Sequence, residues 1–182
     1  IAAILSQIEG VDFCVYRQNQ TVIVQGAAGY ARISRRDNLY RYETLQGDPL
    51  LLTKIQAHLQ QENTDRVGDY LHANDWWRTT RDHIYPDPLH RIWEGLHDLV
   101  QHPATLLISL KDGFAFGPAI FDQAIVSRRA GTHGALLDSH SNGFLMSDFM
   151  PVKAYNRPQT VANLLAGSAE AKRQGKKLWP FN

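Results

Sequence analysis

The sequence predicts a mixed α/β chain, in the α+β arrangement if its 182 residues are taken alone, with an N-terminal antiparallel β-meander followed by helices and a few strands. Three observations carry this: four short β-rich runs between residues 12 and 43, two Asp-Pro pairs that each open an apolar helical stripe, and one nearly unbroken apolar run, Ala104 to Leu110. Hydrophobic residues at 43% and charged residues at 20% are ordinary for a globular chain, so one core can form without disulfides or structural metal.

Residues 1 to 9 carry Ile1, Ile4, Leu5 and Ile8 at helical spacing and stop at Gly10, a residue suited to a helix C-cap. Asp12–Tyr16, Thr21–Gln25, Tyr30–Ser34 and Leu39–Glu43 then read as strands, separated by the short polar or glycine-bearing stretches 17–20, 26–29 and 35–38. Alternation within them predicts one buried and one wetted face. Asp48-Pro49 reads as a helix start, with Asp48 capping and Pro49 at the first helical position; Leu51, Ile55 and Leu59 form its stripe. Asp87-Pro88 repeats the device, and Leu89, Ile92, Trp93, Leu96, Leu99 and Val100 follow at helical spacing. Asn74 to Arg81, with Trp76-Trp77, is either a short helix or a lid-like insertion. Ala104 to Leu110 has the composition of a central parallel strand covered on both faces. Phe144 to Ser147 is a further strand candidate, and a terminal helix begins near Arg157-Pro158. The organisation expected is a β-rich subregion over 1–48, a helical region over 49–103, a C-terminal region over 104–166 and a loosely ordered tail over 167–182, within one domain or the C-terminal piece of a larger one.

With 19 basic against 18 acidic side chains, the chain lacks the electrostatic footprint of a nucleic-acid binder. The basic tail from Lys172 to Lys177 reads as a solvated end. No apolar stretch approaches the roughly 20 residues of a membrane span, and no signal-peptide pattern opens the chain, so it reads as soluble, in the cytoplasm or exported. Cys14, the single cysteine, allows no internal disulfide and reads as a small buried strand residue.

The P-loop, G-x-G-x-x-G, G-x-S-x-G, H-E-x-x-H and C-x-x-C patterns are all absent. The most distinctive segment is Gly131-Thr132-His133-Gly134, where two glycines let the backbone approach whatever the imidazole holds. A loop histidine in a glycine-rich turn is the alternative. His90 and His97 share a helix face but are seven apart, where a metal pair on one helix wants three or four, so they read as packed or solvated. Asp82-His83 and Asp98/His102 have the spacing of ligand pairs in polar surroundings, and Asp138 and His140 read as turn residues.

The segments Leu106 to Phe114, Gly131-Thr132-His133-Gly134-Ala135-Leu136 and Gly143-Phe144-Leu145-Met146 resemble, in order and interval, the C-terminal part of the alkaline-phosphatase superfamily, in its type I phosphodiesterase and nucleotide pyrophosphatase-like branch. Arg157 to Leu165 is similar to the helix that follows there, so the resemblance covers about residues 104 to 166, and residues 1 to 50 look like an insert that some members carry. It implies two divalent metal ions, usually zinc, a Ser or Thr nucleophile that attacks phosphorus, and a phosphoester or nucleotide substrate. His133 alone carries over, as the last histidine ligand. Asp82-His83 lacks the glycine of the family's D-H-G segment and precedes Asp98/His102, the reverse of the family order, and no nucleophile motif is present.

The expectation is therefore the C-terminal portion of a metal-dependent phosphohydrolase or phosphodiesterase, in agreement with a start at Ile1 rather than Met, and inactive alone. Dimerisation through strands left unpartnered is expected with it. Two other readings stand beside this one. The first is a non-enzymatic α/β binding or interaction module that presents the meander and Trp76-Trp77-Arg78 to a partner. The second is a self-contained metalloenzyme that uses Asp82, His83, Asp98, His102 and His133.

Overall fold

The computed structural model describes residues 1–62, 66–97, 101–114, 135–141, 156, 157 and 161. The chain divides into two compact units, Ile1–Asn142 and Gly143–Asn182. In the second, the Val161 amide donates to the Arg157 carbonyl at 3.1 Å. The strand candidate at 144–147 and the tail beyond 167 lie outside the described residues.

The first unit is a mixed α/β body built on one open antiparallel sheet. Its described elements are α1 (Ala2–Leu5), β1 (Val11–Gln18), β2 (Thr21–Gly26), β3 (Gly29–Arg36), β4 (Leu39–Gln46), α2 (Thr53–Glu62), β5 (Leu71–His72), α3 (Ala73–Thr80), α4 (Pro88–Leu96), β6 (Leu107–Leu110) and a 3₁₀ turn at Asp138–His140. The sheet order is β5-β4-β3-β2-β1-β6. The four predicted strands are therefore a meander, each paired antiparallel with the next. Asn19 at φ 56° and Asp37 at φ 51° turn the first and third hairpins in the left-handed region, which these two residue types tolerate. At the second turn a side chain on Gly29 would run into the carbonyl of Gln46, so only glycine fits.

Register places the core. Val15 pairs with Val24, Val24 with Ala31, Val22 with Ile33 and Ile33 with Tyr42, so these residues share one face, and all are buried. Leu50, Leu52, Leu59, Trp76, Leu89, Ile92 and Leu96 from the helical region join the same cluster. On the other face α1 lies against β1 and β2, and Cys14 and Ile23 are buried.

Three elements differ from expectation for physical reasons. α1 spans a single turn, too short to present a stripe, and Ile1, Ile4 and Ile8 are exposed. Gly10, five residues past its end, takes φ 87° and packs where the Phe114 ring leaves no room for a Cβ. α2 begins at Thr53, not Pro49, because a turn closed by Leu51 N–H to Asp48 C=O sends Leu50 and Leu52 inward and leaves Leu51 58% exposed at φ 58°. Asp48 nevertheless caps it: Oδ1 accepts the Leu52 amide at 3.1 Å and Oδ2 the Thr53 amide at 2.8 Å.

The largest correction concerns residues 104–110. The strand they form, β6, pairs antiparallel with β1, not parallel, and among the described residues it stands at one end of the sheet order, with Leu107 and Ile108 37% and 45% exposed. Apolar composition alone does not distinguish a strand covered on both faces from one at the sheet margin. The Asp87-Pro88 start holds: α4 runs from Pro88 and buries Leu89, Ile92, Trp93 and Leu96. Asp87, however, takes the left-handed conformation, and its side chain makes no cap hydrogen bond. Leu99 and Val100 fall outside the described residues. Among the described residues no helix is long and apolar enough to cross a membrane.

Candidate functional site

His133 and Asp98 lie outside the described residues, and the chain is described again from Ala135, two residues after His133. Arg91 holds the main chain at Ala135 and Leu136. This residue sits on the first turns of α4, whose apolar stripe anchors the helix to the core, and its amide donates to the Asp87 carbonyl at 3.1 Å. Its guanidinium donates through Nη1 to the carbonyls of Pro86 (3.1 Å) and Leu136 (3.0 Å), and through Nη2 to the Ala135 carbonyl (3.4 Å). Burial pulls the Arg91 guanidinium below its ordinary range, with the Asp87 charge opposing.

Further bonds hold the same segment. The Asp138 amide donates to the Ile84 carbonyl at 2.8 Å, and Leu136 and Leu137 pack on the core. Ser139 Oγ donates to the Asp112 carboxylate at 3.2 and 3.4 Å, and His140 Nε2 lies 2.6 Å from Asp112 Oδ1. Serine and histidine both face the carboxylate, so the imidazole is not placed between hydroxyl and carboxylate as a nucleophilic triad requires. Asp138 and His140 are turn residues, as their sequence suggests.

The loop that receives this segment is tied back to the sheet. Tyr85 OH donates to both Asp12 oxygens at 3.0 Å, beside a β-bulge between Val11 and Phe13, and its ring meets Phe13 edge-on at 5.5 Å. Burial pushes the Asp12 carboxyl up, with the Tyr85 hydrogen bond and the Lys111 charge acting against it; burial and the Asp12 charge push the Tyr85 phenol up.

The other sequence candidates do not converge. His83 Nδ1 accepts the Tyr85 amide at 3.1 Å, Asp82 is bonded to Arg81 at 3.3 Å, and His102 is exposed. His90 and His97 are packed: His90 Nδ1 is 3.3 Å from Tyr40 OH, and His97 stacks on Trp93 with centroids 4.2 Å apart. Among the described residues no group of three or more His, Cys, Asp or Glu could hold a metal ion. The described residues alone thus make no metal site, and the ions that the resemblance implies rest on His133.

A concavity of about 330 Å³ lies between β4 and α2, lined by Arg41, Glu43, Thr44, Thr53, Gln56 and Gln60 among others. Arg41 is held there at 3.6 Å from Glu43 and 3.5 Å from Asp69. Trp76, by contrast, is 1% exposed and donates its indole N–H to the Tyr40 carbonyl, so it is a core residue and not a partner anchor. Sequence reasoning missed Arg91 and Asp112, since neither belongs to a motif and their partners are remote in the chain. Comparison with family models, curated proteins and solved structures returns no match.

Proposed function

We propose that this chain is the C-terminal portion of a metal-dependent phosphohydrolase or phosphodiesterase of the nucleotide pyrophosphatase-like kind, with His133 as one ligand of a dinuclear site, usually of zinc. The observation that carries the reading is Gly131-Thr132-His133-Gly134 in its interval from Leu106–Phe114 and Gly143–Met146. The role of the metal ions, once bound, is to stabilise attacking and leaving oxygens on phosphorus. The role of this chain is to present one imidazole. The nucleophile and the remaining ligands come from sequence outside these residues, and a lone imidazole binds zinc weakly, so the isolated chain is inactive.

The test is to express the chain together with the coding sequence that flanks it in its gene and to assay a chromogenic phosphodiester with zinc. Turnover that His133→Ala reduces by at least about 10²-fold supports the reading. Turnover by the isolated 182 residues, or activity indifferent to His133→Ala, overturns it.

One observation favours a second reading, a binding module: the polar groove between β4 and α2, whose uncharged Gln56, Gln60, Thr44 and Thr53 offer donors and acceptors to a polar ligand. A gene that encodes no nucleophile or Asp/His ligand pairs beside this stretch would favour it.

A further inference from the structure

The sheet stops short beside β4. β5 pairs only through Leu71 and His72, with Tyr40 and Leu39, and among the described residues no strand lies beyond Tyr40 on that side. The main chain of an antiparallel strand offers its N–H and C=O to alternate sides, residue by residue. The Asn38 carbonyl accepts the Ala73 amide at 2.9 Å and the Tyr40 carbonyl accepts the Trp76 indole at 3.3 Å, both from the side of β5. Tyr42 and Thr44 share this parity and therefore also turn their N–H and C=O away from β3. Tyr42 is buried, whereas Thr44 is exposed and lines the concavity between β4 and α2. An open edge residue of this kind can exchange an N–H and a C=O hydrogen bond with another chain.

The opposite wall supplies the same chemistry from side chains. Gln56 and Gln60 are an i,i+4 pair on α2, and both line the groove. Each carries an amide, the C=O and N–H groups of a peptide bond in side-chain form. They recur about 6 Å along the helix axis, and an extended chain turns its N–H and C=O to one side every second residue, about 6.7 Å. Charge then selects among extended chains. Arg41 is held by Glu43 and Asp69, and Arg32 reaches Glu43 from outside the groove at 3.4 Å. The open charge is thus the Asp69 carboxylate, its side chain 57% exposed. A phosphate or nucleotide would meet carboxylates here, with Arg41 already engaged by two of them. We propose that the groove between β4 and α2 takes an extended peptide segment bearing a Lys or Arg, paired to the open edge at Thr44 and facing the Gln56 and Gln60 amides, with its cationic side chain at Asp69. This occupancy rests on the binding-module reading of the groove and needs neither His133 nor a metal ion.

Two degenerate hexapeptide pools, acetylated and amidated at their ends, test it: one built of Thr, Val and Lys, the other with Glu in place of Lys. Each is titrated into the isotope-labelled 182-residue chain and followed by NMR, with maltotetraose as a third probe. The Lys pool is expected to shift the main-chain amide of Thr44 and the side-chain amides of Gln56 and Gln60, at a midpoint several-fold below that of the Glu pool. Asp69→Asn should bring the two midpoints together. Thr44→Pro removes the edge N–H, which faces away from β3, and Gln56→Ala with Gln60→Ala clears the other wall. Each is expected to raise the Lys-pool midpoint at least about tenfold, the worth of one or two lost hydrogen bonds. Unchanged near-UV circular dichroism shows that a variant folds, and the glutamine pair answers where Thr44→Pro does not fold. A Lys pool that binds no tighter than the Glu pool, or that binds both folded variants as well as wild type, overturns the proposal. Shifts at these amides from maltotetraose but from neither pool overturn the peptide and leave the groove a binding site. No shift at Thr44, Gln56 and Gln60 with any of the three probes overturns the binding-module reading as well.

Discussion

Arg91 Nη1 donates to the carbonyl oxygen of Leu136 at 3.0 Å, across 45 residues of chain. That bond and its two neighbours leave three buried or half-buried carbonyls without a donor when the guanidinium is lost. Arg91→Ala should lower unfolding free energy by about 1–3 kcal/mol, the range for orphaned buried polar groups, measured as a fall in the urea midpoint at constant slope.

Asp48 holds four groups at the start of α2, and its carboxyl shows the balance. Burial pushes it up, but bonds from the Thr53 amide, the Tyr42 hydroxyl, the Thr53 hydroxyl and the Leu52 amide outweigh burial, and the net shift is downward from 3.8. Asp48→Ala removes the cap and strands Tyr42 OH, now 2.7 Å from Oδ1. A loss of about 2 kcal/mol is expected, read by thermal or urea unfolding.

Asp12 and Asp48 give opposite pH dependences. A depressed carboxyl contributes stability above its unfolded value, lost as pH falls through the folded one; a raised carboxyl contributes below its unfolded value and loses that as pH rises through the folded one. Asp48→Asn should therefore flatten the acid side of the stability profile, and Asp12→Asn should remove a decline on the rising side, with Tyr85 OH still offered one acceptor. Urea midpoints taken between about pH 2.5 and 6 decide it; the same slope change in both variants would contradict the assignment.

Leu51 sits at φ 58° and is 58% exposed, a β-carbon in the left-handed region with little burial to offset the strain. Leu51→Gly should stabilise the chain, by up to about 1 kcal/mol, against a cost of similar size at an ordinary loop position. Differential scanning calorimetry would show the midpoint rise.

How far the sequence reveals this structure depends on range. The meander was legible because alternation and turn residues act between neighbours, and Asp48 was legible as a cap because the amides that donate to it lie four and five residues away. Where α2 begins was not, since Leu50 and Leu52 are drawn inward by the sheet and not by helical spacing. β6 was misread because its partner, β1, lies about 95 residues earlier and apolar composition names no partner. At the site, His133 stands out by its flanking glycines, whereas Arg91 looks like any basic residue on a helix. Its role arises only when α4 and residues 135–136 meet.

The most direct test of the central claim is anomalous diffraction at the zinc edge from crystals of the chain together with its gene-encoded flanking sequence. The account predicts a zinc ion at about 2.0–2.1 Å from a ring nitrogen of His133, with a second ion nearby. Zinc bound elsewhere, with His133 remote from every ion, would contradict it.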